Sequence, residues 1–143
     1  MAITTALCTS FKLSLLNGEM DFSSDTTQVF KIALYTSSAT INAGTTAYST
    51  TNETSGTGYD AGGKTLTLST NPTQSVSSVH IEFSNVTWTS ASFTARGALI
   101  YKSGGSNTAI AALDFGEDKQ VSSGNFVVQL GTVGAGKPIL SLV

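Results

Sequence analysis

The chain reads as an all-β protein, a sandwich or barrel of seven or eight short strands with one short N-terminal helix. Three observations predict this. Only 11% of the residues are charged, against roughly 25% in an ordinary domain. Serine and threonine fill the polar positions instead, 42 of the 143 residues, and β-branched threonine suits a pleated surface. Beyond Gln28, apolar residues recur at every second position, with turn signals closely spaced between the runs.

The elements follow in order. Ile3, Leu7, Phe11 and Leu15 recur every four residues, one stripe of a short amphipathic helix over residues 3–17. Thr4 or Thr5 caps its start, and Asn17-Gly18 ends it. Phe30, Ile32 and Leu34 then alternate with Lys31, Ala33 and Tyr35. Leu66 and Leu68 form a second run that Asn71-Pro72 closes. Val79, Ile81 and Phe83 form a third, continued by Val86 and Trp88. Phe93 to Lys102 is a fourth, followed by a hairpin turn to Thr108. The remaining runs are Ala109–Phe115, Phe126–Leu130 and Ile139–Val143, set apart by Gly116-Glu117-Asp118, Ser122-Ser123-Gly124 and Gly131–Gly136. No repeat or linker divides the chain, so residues 1–143 read as a single domain, one that buries about 70% of its unfolded surface.

Residues 37–63 are too long for a plain loop. They read as a Thr- and Gly-rich arm, with an irregular edge strand near 46–50 or an excursion onto another subunit. Tyr48 and Tyr59 lie in it, and aromatics in exposed loops are interface anchors. The helix stripe, through Phe11 and Leu15, is the other expected contact.

Composition narrows the function classes. A net charge of −2 and no basic stripe argue against nucleic acid. No apolar run reaches the ~18 residues a membrane span needs, and no membrane partner is expected. Cys8 is the lone cysteine, which leaves no intrachain disulfide and suggests a small buried hydrophobe. Met1-Ala2-Ile3 opens no signal peptide, so synthesis in a cytoplasm is expected. Asn52-Glu53-Thr54 and Asn85-Val86-Thr87 are then accidental glycosylation spellings.

Gly58-Tyr59-Asp60-Ala61-Gly62-Gly63-Lys64-Thr65 fits the phosphate-loop pattern residue for residue. A working phosphate loop follows a buried strand and opens a helix. Here polar residues precede it, and Leu66 and Leu68 follow at period two, so Lys64-Thr65 is expected to open a strand. Asp114-Phe115-Gly116 copies a kinase triplet without the rest of a kinase. Asp114, Glu117 and Asp118 stand beside Lys119 and read as a solvated turn rather than a calcium site. His80 is the sole histidine, which argues against a His-rich metal site, and no nucleophile elbow accompanies it. Trp88 reads as core. No catalytic residue, metal ligand or cofactor is assigned.

Several stretches carry a resemblance: Phe30-Lys31-Ile32-Ala33-Leu34-Tyr35-Thr36, Thr46 to Glu53, Gly56 to Gly63, Thr94 to Tyr101 and Ala111 to Lys119. In this order the chain resembles the capsid cement, or head decoration, proteins of tailed bacteriophages. The resemblance implies a jelly-roll-like β-sandwich on the outer face of a phage head. It would bridge neighbouring major capsid subunits as a dimer or trimer, and would reside in the virion. The alternative is a tail- or fibre-associated module that binds host-surface glycans through Tyr48, Tyr59 or Trp88.

Overall fold

The computed structural model describes residues 2–74, 76–130 and 140–142. It is an all-β sandwich of two antiparallel sheets with one short helix. In chain order the elements are β1 (Ala6–Leu7), α1 (Thr9–Leu16), β2 (Val29–Tyr35), β3 (Lys64–Thr65), β4 (Leu68–Gln74), β5 (Val79–Phe83), β6 (Val86–Ser103), β7 (Ala109–Val128) and β8 (Leu140–Leu142). The larger sheet has the order β1-β7-β6-β2-β3, and the smaller has the order β4-β5-β8. Only Ser84 and Asn85 separate β5 from β6, so the chain changes sheets there.

The dominant element is the β6–β7 hairpin, registered from Val86↔Val128 to Tyr101↔Ala109. Its turn is closed by Asn107 N–H donating to Gly104 O, as the sequence predicts for 102–108. β2 then lies along β6 from Val29↔Ser103 to Tyr35↔Gly97. The alternating residues meet in the core, where Ile32, Leu34, Leu99 and Trp88 are buried. Stacked and edge-on rings carry the core from helix to both sheets: Phe11 meets Phe22, Phe22 meets Phe30, and Phe30 meets Phe83 of the smaller sheet. Burying each such ring contributes about 1.5–3 kcal/mol.

Three expectations are corrected. The helix spans Thr9–Leu16, not 3–17. Cys8 caps it in an extended conformation, Ala6–Leu7 pairs with β7, and Ile3 bridges Ile41. A four-residue stripe satisfies a strand-then-helix entry as well as one long helix, and backbone bonds to β7 decide for the strand. Second, Gly116 and Ser122-Ser123-Gly124 do not end a strand. Their left-handed residues, Gly116 (φ 85°) and Ser123 (φ 49°), sit where the β6–β7 register shifts, so the ladder absorbs them as bulges. Third, Asn71-Pro72 lies inside β4. Proline is tolerated there because β4 is an edge strand whose register shifts across residues 71–72, between Thr70 and Thr73. The edge strand foreseen near 46–50 is reduced to a single bridge, Ala47↔Thr108. Of the last run, Leu140–Leu142 forms β8; Ile139, Val143 and the 131–136 turn lie outside the described residues.

Candidate interaction site

The arm 37–63 folds back on its own sheet, and Glu53 is the centre of the closure. Its Oε2 accepts from the Tyr48 hydroxyl at 2.7 Å. Its Oε1 accepts from the Tyr59 hydroxyl at 2.6 Å and from Gly62 N–H at 2.8 Å. The Tyr59 oxygen in turn accepts Leu34 N–H from β2 at 2.8 Å. Tyr35 donates to Ser49 O, and Tyr101 donates to Gly62 O. The Tyr48 and Tyr101 rings stack with centroids 4.6 Å apart. All four tyrosines of the chain therefore fasten one segment. Burial, followed by the neighbouring Glu53 carboxylate, raises the Tyr48 and Tyr59 phenols well above the ordinary range, so both remain donors.

Glycine lets this loop approach so closely. A Cβ on Gly63, where φ is +76°, would stand 1.8 Å from the Ile32 carbonyl oxygen. A Cβ on Gly56 would stand 2.4 Å from Ser92 O. The phosphate-loop spelling thus serves packing. Lys64-Thr65 opens strand β3, as expected. The amides of Tyr59, Gly62 and Gly63 are bonded to Gly56, Glu53 and Asp60. Lys64 Nζ donates to Thr87 O and lies 5.8 Å from the Trp88 ring centroid.

The four nominated contact residues separate. Phe11 is 3% exposed and Tyr59 8%, so both belong to this chain's own core and present nothing to a partner. Tyr48 is half-buried under its stack. Leu15 is half-buried and lines an open apolar groove of about 360 Å³ with Leu7, Met20, Phe22, Val79 and Ile81. Trp88 is core, as expected. The arm as an excursion onto another subunit is corrected with Tyr59: its aromatics bond inward because the glycines admit them.

Sequence reasoning missed Leu13 and Leu16, which are 62% and 88% exposed on α1. The signal was available. Both stand off the Leu7-Phe11-Leu15 stripe, while Ser14 takes a buried place on the helix. Leucine facing solvent opposite a buried serine inverts the usual sorting.

Among the described residues no buried side-chain nitrogen or oxygen lacks a hydrogen-bond partner. Asp114 accepts from Arg96 Nε at 3.0 Å, and this bond holds its carboxyl below the usual range. Glu117 pairs with Lys119. Burial pushes the Cys8 thiol up to about 11. Among the described residues no three His, Cys, Asp or Glu side chains gather in a metal-binding group, and no helix is long and apolar enough to cross a membrane. Comparison of the chain with protein-family models, with curated proteins and with solved structures finds no match.

Proposed function

We propose that the protein is a structural virion component that binds the outer surface of a phage head and stabilises contacts between major capsid subunits. The observation that carries the contact is the outer face of α1, where Leu13 and Leu16 stand exposed side by side, turned away from the groove that Leu15 lines. Apolar side chains grouped this way mark an interaction surface. The low charge of the chain suits a surface that is partly covered. The resemblance to head decoration proteins supplies the partner. Its shared stretches include Tyr48, Glu53, Tyr59, Gly63, Gly97 and Tyr101, residues that hold the arm and sheet together, so the resemblance bears on the scaffold and α1 supplies the contact.

The mechanism is mass action. A ligand of the assembled shell that ignores free subunits stabilises the shell by about 2.7 kcal/mol per site at a hundredfold excess over Kd. Many modest sites then resist the pressure of packaged DNA. The test starts from virions of the phage that encodes the chain. Mass spectrometry should find the protein in them, and Leu13→Asp with Leu16→Asp should abolish rebinding to undecorated heads at unchanged circular dichroism. Virions lacking the protein, or unimpaired rebinding of the variant, would overturn the reading.

A further inference from the structure

An open strand edge invites another strand, and folds guard their edges with short strands, proline, charge or bulges. Most edges here carry such a guard. β1 and β3 are two residues long, and β8 is three. β4 contains Pro72. The first part of the free β7 edge has Asp114, Glu117, Asp118 and Lys119 around the Gly116 bulge.

One segment has no guard. β1 pairs with β7 only at Ala111 and Ala112, and among the described residues nothing pairs with the outer edge of Gly124–Val128. This segment follows the Ser123 bulge and runs in register with β6 from Ala91↔Gly124 to Val86↔Val128, apart from the shift between Trp88 and Ala91. It reads Gly-Asn-Phe-Val-Val, and no residue from Gln120 to Leu130 is charged. Val127 is 50% exposed. A groove of about 450 Å³ lined by Val121, Phe126, Val127 and Val128 lies alongside.

We propose that Gly124–Val128 pairs antiparallel with the same segment of a second copy, with the two-fold axis at Phe126. Nothing electrostatic opposes a second copy: like charges directly opposite destabilise a strand pair, and this stretch brings none to face itself. The side chains are also self-complementary in this register. Phe126 faces Phe126, and Val128 faces Gly124, which has no side chain and no atom nearer than 3.6 Å to a Cβ position. These residues share one face, because opposed residues in a sheet point the same way. On the other face Asn125 lies opposite Val127. The pairing is isologous, as a two-fold dimer requires. It uses β7 rather than α1, and stands apart from the shell-binding reading.

Sedimentation velocity of the full chain tests it. The wild type should move from monomer to dimer as concentration rises, and amide exchange at 124–128 should slow in step. Asn125→Asp with Val127→Asp sets carboxylates opposite one another and should give a folded monomer. Asn125→Lys with Val127→Asp sets opposite charges in the same places and should restore a dimer that weakens with salt. A wild type that stays monomeric, or a double-Asp variant that still dimerises, overturns the proposal. Should the double-Asp variant not fold, wild-type exchange decides: protection at 124–128 that ignores concentration overturns it as well.

Discussion

The two edges of the outer half of the β6–β7 hairpin are finished differently. Along β6 the chain covers itself. Thr54 Oγ1 donates to Thr94 O, Ser92 N–H donates to Thr57 O, and Lys64 reaches Thr87 O. Along β7 from Gly124 to Val128, no described residue does the same. The difference teaches where this protein places its tyrosines and one of its few charges. The arm takes all four tyrosines and the Glu53 carboxylate to close one edge, and its closure depends on glycines that admit backbone against backbone.

The comparison breaks most sharply at Gly63. Gly63→Ala forces a Cβ against Ile32 O at a positive φ, and should destabilise the fold by more than about 4 kcal/mol in urea unfolding. A shift below 1 kcal/mol would mean that the arm does not sit where described. Glu53→Ala comes next. It strands the Tyr48 and Tyr59 hydroxyls and Gly62 N–H, and should cost about 3 kcal/mol. The same unfolding curve should keep its slope if the arm and the sheet melt together.

Tyr48→Phe is the mildest, at about 1 kcal/mol, because its ring stack persists. It carries a pH signature. Burial first, and then Glu53, raise the Tyr48 phenol in the folded chain. A raised folded value adds stability that is fully present below the unfolded phenol's pKa of about 10 and is lost as pH rises through the folded value. The wild type should therefore lose stability above about pH 10 more steeply than Tyr48→Phe. Parallel curves would remove Tyr48 from the closure.

Much of the sheet was legible because period two leaves little choice. Phe30-Ile32-Leu34 and the run from Phe93 to Tyr101 lie where alternation puts them, buried and paired with one another's strands. Ends and exposures were less legible. Ile3-Leu7-Phe11-Leu15 fits a helix or a strand entering a helix, and the choice rests on β7, more than a hundred residues along the chain. Gly116 and Ser123 spell turns locally, yet a long partner strand holds the ladder through them. Tyr59 lies in a tract with the composition of a surface loop. Its burial depends on Glu53, one of only three charged residues between Tyr35 and Thr70. A carboxylate at position 53, set among hydroxyls and glycines, was the available sign that the tract turns inward. On the candidate site, Leu15 was found by periodicity, whereas Leu13 and Leu16 fell outside the stripe that periodicity rewards.

The hairpin also sets an order of events in time. One turn at 104–108 brings together strands that run from Val86 to Val128, so the cost of closing the chain falls on a short loop. The arm has a more distant problem: Glu53 lies far along the chain from Tyr101, and its tyrosines have no platform until β2 and β6 are in place. Folding should then begin in the hairpin and finish with the arm. φ-values would be high around Trp88 and low at Glu53. What docks last is not engaged at the barrier, so substitutions in the arm should chiefly speed unfolding and leave the folding rate nearly untouched.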